Sequence, residues 1–341
     1  MRSVLTILIA FAAGVLLMVW WTDHRSAPSI VTRPAPATTV PMASVSDAAD
    51  VPVADGGANG DDWPDLSPTP EQVLYAQPRM MRDALAELTP RIAGKPNLYV
   101  LVFAGDGGED VFRNEAEYAV PLFAKRFGAT AHTLVLENNP ATLTTRPLAS
   151  WSNLEASLAG LEKAMQPDQD ILLLYITSHG GEDHTLLVDM DPLPLDQLGA
   201  DDLAGILAAH RFKWKVVVVN ACYSGGFVPP LHGPDTLVLT AARADRSSFG
   251  CGSDSDITYF GKAWLVDALN RTPDFIDAFK QASGEISQWE MQDKLTPSEP
   301  QIDIGKGIAA QLALWRHGIT IGPAVPFTPA TPATARPKAS P

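Results

Sequence analysis

The sequence is poor in cysteine and in basic residues, and each deficit excludes a class of protein. Two cysteines among 341 residues cannot form the disulfide framework of a small secreted scaffold, although they could form one bridge or supply one reactive thiol. The 25 lysines and arginines face 39 acidic residues, which gives a formal net charge of −14. Nucleic-acid binders normally present a basic surface, so we expect no nucleic-acid partner.

Wholesale disorder is excluded as well, because 46% of the residues are hydrophobic. The length suits two average domains, or one α/β domain with extensions. Both ends are rich in proline, alanine, threonine and serine and lack apolar periodicity, which is typical of linkers and tails. We therefore predict a disordered linker over residues 22–70, a folded domain over 71–317 and a disordered tail over 318–341.

One long apolar run lies near the start of the chain. Val4 to Trp21 contains no charged residue and would span about 27 Å as a helix, close to the hydrocarbon thickness of a bilayer. Trp20 and Trp21 occupy the place of an interfacial aromatic belt. We predict a single-pass anchor over residues 1–21 in the inner cell membrane, with the folded domain in the periplasm. The alternative is a cleaved signal peptide, whose apolar region is normally shorter.

The folded domain alternates short apolar runs with helical patterns. Continuous apolar character predicts strands that are buried on both faces, as in a parallel sheet. The predicted strands are Leu98–Ala104, Ala131–Leu136, Ile171–Thr177, Lys215–Val219 and Thr236–Thr240. Helices are predicted near residues 116–127, where Pro121 should introduce a kink, and near 154–165, 201–210, 257–269 and 275–292. This order predicts a doubly wound α/β sandwich, in which ligands bind beyond the carboxyl ends of the strands.

A histidine and a cysteine follow two of these predicted strands. His179 and Gly180 come shortly after the third strand, and Cys222 comes shortly after the fourth. If the two strands are neighbours, both side chains lie at one edge of the sheet, where an imidazole can activate a thiolate nucleophile. The bland alternative is that Cys222 is a small core residue and His179 a hydrogen-bonded core histidine. The paired placement favours catalysis.

Three other motifs are weaker evidence for a function. The turn Gly105–Asp110 lacks the third glycine of a dinucleotide loop and carries three acids, so we interpret it as a solvated turn. His179 to His184 does not have the helical spacing of a zinc protease, and we predict no metal and no cofactor. Ser224 resembles the nucleophile of a Gly-x-Ser-x-Gly elbow, but Ala221-Cys222-Tyr223-Ser224-Gly225 lacks the first glycine of that motif.

Together with Arg113 and the segment from Thr240 to Cys251, the two strand-end motifs resemble the legumain and GPI-transamidase family of caspase-like cysteine peptidases. The resemblance covers roughly residues 97–305 and implies a caspase-like, haemoglobinase-like α/β/α sandwich. It implies Cys222 as nucleophile and His179 as catalytic histidine, with the backbone N–H groups of Gly180 and Cys222 forming the oxyanion hole.

The resemblance also implies a pocket for the side chain that precedes the cleaved bond. Arg113 would be its basic residue and Ser248 part of another wall. Lys262 stands where the family has an acid, and Val111 stands where it has an asparagine. Two cations near one pocket would favour an anionic side chain. We therefore expect cleavage after Asp, or after Asp and Asn.

The function expected from the sequence is that of a cysteine endopeptidase acting on a peptide or protein substrate through a thioester acyl-enzyme. A transamidase or transpeptidase of the same fold is a close variant. A non-catalytic caspase-like binding or assembly module is the alternative from another class. Cys251 is expected to be a non-catalytic residue of the cleft wall, although an oxidising compartment could join it to Cys222.

Overall fold

The structure is a computed structural model that describes Trp63, residues 68–128 and residues 132–330. The predicted membrane anchor over residues 1–21 and nearly all of the predicted linker lie outside the described residues. Within residues 68–128 and 132–330, no helix is both long enough and apolar enough to cross a membrane.

Within the described residues, eight strands form one large sheet and one small one. The strands are β1 (Leu98–Ala104), β2 (Thr133–Glu137), β3 (Ile171–Thr177), β4 (Thr185–Leu186), β5 (Leu198–Gly199), β6 (Trp214–Asn220), β7 (Thr236–Thr240) and β8 (Gln301–Ile304). The large sheet has the order β2-β1-β3-β6-β7-β8, and β4 pairs with β5. All neighbours in the large sheet are parallel except β7 and β8, which are antiparallel.

Helices cover both faces of the large sheet. They are α1 (Pro70–Ala86), α2 (Asp110–Arg126), α3 (Trp151–Ala164), α4 (Ala200–Ala208), α5 (Val228–Leu231), α6 (Leu269–Arg271), α7 (Phe275–Gln292) and α8 (Ile308–His317). A 3₁₀ helix spans Ser224–Phe227, and a π-helix spans Gly261–Ala268 and continues into α6.

Alternating residues of the central strands feed two separate cores. Val100, Leu173 and Val218 pack with α2, the π-helix, α7 and α8 on one face. Leu101, Leu174 and others of the opposite parity pack with α1, α3 and α4 on the other face. Because both faces are covered, the strands are apolar throughout. The predicted α/β/α sandwich with a mostly parallel sheet is thereby confirmed.

Parallel strands place their carboxyl ends at one edge of the sheet. From β1 the chain moves to one side to form β2, and β3 lies on the other side of β1. The gap between the carboxyl ends of β1 and β3 is therefore a topological switch point, where open α/β sheets bind ligands. Functional side chains are therefore expected in the loops after β1, β3 and β6.

The described chain continues beyond His317, where the sequence predicts a disordered tail to begin. Residues 318–330 contain no helix or strand, but they make specific contacts with α2. The Tyr118 hydroxyl donates to the Val325 carbonyl at 2.8 Å, and Val325 is buried. The Arg126 guanidinium donates to the Gly322 carbonyl at 2.8 Å. The folded part therefore extends past the predicted boundary, because backbone groups of the proline-rich segment satisfy buried polar groups of α2.

Candidate active site

The two predicted reactive side chains follow neighbouring strands. β3 and β6 pair in parallel, and Thr177 lies opposite Asn220 at their last paired position. His179 and Cys222 each come two residues after that pair. The assumption on which the sequence argument depended, that these strands are neighbours, is confirmed by this register.

The Cys222 thiol is half-buried and faces Ser248. The backbone N–H of Ser248 donates to Sγ at 3.2 Å, and the Ser248 hydroxyl lies 3.5 Å from Sγ. Hydrogen bonding from the Cys251 thiol lowers the pKa of Cys222 to about 5, with further contributions from Ser248 and His179, against the opposing effect of burial. The same contact raises the pKa of Cys251 above its ordinary value. The contact between the two thiols therefore favours ionisation of Cys222 over ionisation of Cys251.

A sharp turn follows the thiol. Tyr223 adopts the left-handed backbone region, with φ 55° and ψ 15°, which costs a non-glycine residue energy. Its N–H donates to the Arg246 carbonyl at 2.7 Å, and its carbonyl lies 3.2 Å from Nδ1 of His184. These contacts hold the turn that ends β6 and leads into the 3₁₀ helix.

Gly180 brings the loop after β3 against the backbone of Cys222. A Cβ atom at this position would lie 2.2 Å from the Cys222 carbonyl oxygen, so only glycine permits the approach. Within the described residues, the backbone N–H groups of Gly180 and Cys222 donate no hydrogen bond. Unpaired N–H groups beside a nucleophile can stabilise an oxyanion.

Asp106 belongs to this site, and the sequence analysis missed it. Its Oδ2 lies 3.5 Å from Nε2 of His179, and the residue is buried rather than part of a solvated turn. The Gly108 N–H donates to the other carboxylate oxygen at 2.8 Å and fixes the side chain. Its position at the carboxyl end of β1, the strand beside β3, was the signal that could have identified it.

The imidazole of His179 also packs against α2. The Phe112 ring meets it edge to face, with ring centroids 5.1 Å apart and planes inclined at 82°. Phe112 is fully buried and His179 keeps 35% of its side chain exposed. The histidine is therefore held on one face by an aromatic wall and at Nε2 by a carboxylate, while part of the ring faces solvent.

Of the three predicted pocket residues, Ser248 contacts the thiol directly, and Arg113 lies next to Phe112, the residue that packs against His179. Arg113 follows Phe112 on α2 and is buried. Its guanidinium lies 3.3 Å from an Asp110 carboxylate oxygen and 3.4 Å from the Asn139 side-chain oxygen. α2 thus presents an aromatic ring to the histidine and a cation one residue later.

Lys262 is placed differently. Its ammonium lies 2.7 Å from the Asp267 carboxylate and 5.7 Å from the centroid of the Trp289 ring on α7. Among the residues that the structure describes, no recorded contact joins Lys262 to Cys222 or Arg113. The structure therefore shows nothing that brings this second cation into the pocket.

The loop from His179 to His184 is not arranged around a metal. His184 packs its ring over Gly226, where an added Cβ would lie 2.1 Å from the ring. Across residues 68–128 and 132–330, no group of three or more histidine, cysteine and acidic side chains is close enough to hold a metal ion.

An α/β sandwich with a cysteine and a histidine at adjacent strand ends is typical of cysteine-dependent hydrolases. The model of the Peptidase C13 family matches residues 152–311, slightly less than half of the chain. The match includes His179, Cys222, Ser248 and Lys262, and Arg113 precedes it. It confirms the resemblance to the legumain and GPI-transamidase family, and it confirms the prediction of a cysteine-type peptidase.

Among curated proteins, no sequence matches this chain. Among solved structures, one match is the crystal structure of caspase-1 from Spodoptera frugiperda, at 13% sequence identity. The match covers 64% of this chain and 93% of that chain, with a TM-score of 0.45.

Proposed function

We propose that this protein is an endopeptidase in which Cys222 and His179 act as one catalytic unit. The Cys222 thiolate attacks the carbonyl carbon of the scissile peptide bond. The carbon–nitrogen bond then breaks, and the departing amine takes a proton from the His179 imidazolium, which leaves a thioester on Cys222. A water molecule attacks the thioester while His179 accepts its proton, and the carboxylic acid leaves as the thiolate is restored.

The observation that carries this proposal is the parallel pairing of β3 and β6, which sets His179 and Cys222 at one edge of the sheet. The lowered pKa of Cys222, about 5, supports it because the nucleophile is already ionised at neutral pH. The unpaired N–H groups of Gly180 and Cys222 would receive the developing oxyanion. With Nε2 of His179 facing Asp106, Nδ1 is the nitrogen left for the proton transfer.

The test is a comparison of Cys222→Ala, His179→Ala and the double variant on a peptide substrate. Groups that act as one unit are non-additive, so each single variant should lose nearly all turnover and the double variant should be little worse. A cysteine-directed peptide probe should label the wild type stoichiometrically at Cys222. Modest, additive losses would show that the two residues are not the catalytic unit, and absence of labelling would favour the non-catalytic module.

For the substrate we propose a peptide with Asp or Asn before the cleaved bond, bound through Arg113. A planar guanidinium can pair with a carboxylate or a side-chain amide, and it stays charged at any working pH. The expected preference for Asp over Asn depended on a second cation, and Lys262 is instead engaged by Asp267. We therefore expect both side chains to be accepted.

Matched peptides that differ only in Asp or Asn test this pocket. Arg113→Lys should lower kcat/KM for both peptides by about tenfold or more, since a lysine cannot make the bidentate contact. Lys262→Ala is the control and should leave the ratio of the two kcat/KM values unchanged. A large change of that ratio in Lys262→Ala would show that Lys262 contributes to the pocket.

A further inference from the structure

The buried carboxylate of Glu115 lies against the ends of β3 and β6 and takes no part in the proposed reaction. Glu115 is fully buried on α2, two residues after Arg113. No lysine, arginine or histidine of the described chain lies within ion-pair distance of it. Burial of an unpaired charge is costly unless hydrogen bonds compensate for it.

Five hydrogen bonds provide that compensation. Oε2 accepts from the Tyr175 hydroxyl at 2.8 Å, the Thr177 hydroxyl at 2.7 Å and the Asn220 amide at 2.8 Å. Oε1 accepts from the backbone N–H of Thr258 at 3.0 Å and from its hydroxyl at 2.6 Å. All of these donors converge on one side chain.

These donors belong to the three segments that build the site. Thr177 ends β3, two residues before His179. Asn220 ends β6, two residues before Cys222. Thr258 closes the segment that carries Ser248, and its hydroxyl also accepts from the Asn220 amide at 2.9 Å. One carboxylate therefore joins the last residues of both reactive strands to the segment that contacts the thiol.

Glu115 and three hydroxyl groups that themselves bond to Glu115 orient the Asn220 amide. Its side-chain oxygen is buried and has no hydrogen-bond partner among the described residues. The amide is thus held through its nitrogen alone, and Glu115 is the charged acceptor of that nitrogen. The π-helix also approaches closely, since a Cβ on Gly261 would lie 2.1 Å from Oε1 of Glu115.

We infer that Glu115 is a positioning residue for the cysteine–histidine reaction: it fixes the geometry between His179, Cys222 and Ser248 through Thr177, Asn220 and Thr258. This inference rests on the proposed function. A reaction whose groups are displaced by about 1 Å loses about 100-fold in rate, so a rigid joint between the two strand ends has a direct catalytic consequence.

A glutamine at position 115 would have nearly the same side-chain volume as Glu115. It would replace one of the two accepting oxygens by an NH₂ group, which only donates. With its NH₂ toward Asn220, two amide NH₂ groups face each other. With its NH₂ toward Thr258, it meets a backbone N–H. The hydroxyls can rotate to accept, but Asn220 Nδ2 and the Thr258 N–H cannot. With the Asn220 amide oriented as in the structure, either orientation of the glutamine sets one donor against another, and we expect a strand end or the Ser248 segment to shift.

The experiment compares Glu115→Gln with Gln77→Glu in the full chain. Gln77 is also buried, and it joins α1 to Leu148 and Asn153 on the other face of the sheet. The reverse swap there sets a carboxylate oxygen against the Val73 carbonyl. Both variants should lower Tm, which makes Gln77→Glu a control for the stability cost alone.

Three readouts separate positioning from stability: kcat, KM, and the pH dependence of Cys222 alkylation by iodoacetamide, followed by mass spectrometry. We expect Glu115→Gln to lower kcat by about 10- to 100-fold with little change in KM and to move the alkylation midpoint upward. Gln77→Glu should change neither. Unchanged kcat and an unchanged midpoint in folded Glu115→Gln would overturn the inference.

A second pair of variants keeps the test decisive if Glu115→Gln does not fold. Thr177→Val removes one donor to Oε2 and should show the same effects more weakly, and normal kcat with a normal alkylation midpoint would overturn the inference. Glu115→Gln/Asn220→Asp reverses donor and acceptor and should restore part of kcat. Failure of the proposed function is seen separately, as full turnover in Cys222→Ala.

Discussion

At the scale of single residues, the thiol environment decides what chemistry this chain can perform. In the part of the chain that the structure describes, no lysine or arginine contacts the Cys222 thiol. Its lowered pKa comes from hydrogen bonds donated by Cys251 and Ser248, then from His179. The thiolate is stabilised mainly by neutral donors, so salt should screen this effect only weakly.

The contribution of Cys251 can be measured by changing the donor and then removing it. Cys251→Ser retains a hydroxyl that can donate to Sγ, whereas Cys251→Ala does not. Loss of a donor to the thiolate raises a thiol pKa. We therefore expect the midpoint of Cys222 alkylation against pH to rise in Cys251→Ala and to rise less in Cys251→Ser, with turnover at pH 8 largely kept in both. Complete loss of turnover in Cys251→Ser would make Cys251 catalytic.

Asp106 supplies the second prediction at this scale. Asp106→Asn keeps the shape but removes the charge that faces Nε2 of His179, so the imidazolium formed during the reaction is less stabilised and less well oriented. We expect kcat to fall by about 10- to 100-fold with KM nearly unchanged. Asp189→Asn is the control, because Asp189 lies near Asp106 and has no recorded contact with the histidine. Equal effects of the two changes would argue against orientation by Asp106.

The placement of His179 and Cys222 at neighbouring strand ends could be predicted from the sequence, because strand ends are readable from continuous apolar runs. Ser248 was named only through the family resemblance. Asp106 could not be predicted, because its turn is rich in glycine and acid and has the composition of a solvated loop. Glu115 could not be predicted either, because its burial depends on how α2 packs against the sheet. Lys262 could be placed on its helix, but its ion pair with Asp267 depends on a rotamer that no sequence pattern determines.

At the scale of elements, the long apolar strands were predictable and the short ones were not. β1, β3 and β7 have the predicted bounds, and β6 is one residue longer at each end. β8 and the β4–β5 pair were missed, since strands of two to four residues are too short to show an apolar run. The helix predicted over 257–269 is a π-helix in its centre, and hydrophobic periodicity does not distinguish the two types.

The segment after α8 gives a prediction at this scale. Truncation after residue 317 removes the buried Val325 and the carbonyl acceptors of Tyr118 and Arg126. A buried donor left without its partner costs about 1–3 kcal/mol, so we expect Tm to fall by at least about 5 °C. Truncation after residue 330 keeps these contacts and should leave Tm unchanged. Equal Tm values for both truncations would mean that residues 318–330 add no stability.

At the scale of the whole molecule, the residues of the candidate active site lie along one edge of the sheet. Asp106, His179 and Cys222 follow β1, β3 and β6, which are consecutive in the sheet although not in the chain. α2 supplies Phe112, which packs against His179, and Glu115, which accepts hydrogen bonds from the last residues of β3 and β6. Strand order therefore explains why residues more than a hundred positions apart form a single site.

The uncharged run from Val4 to Trp21 leads to the last prediction. We propose that it anchors the protein in the inner membrane and leaves the peptidase domain in the periplasm on the linker. A reporter that is active only after export, fused after residue 68, should be active and should fractionate with membranes. Leu16→Arg should impair insertion, because an arginine at a helix centre costs about 2.5–3.5 kcal/mol, whereas Leu16→Ala should not. Activity of a cytoplasm-only reporter would reverse the topology, and a soluble product lacking residues 1–30 would identify a cleaved signal peptide.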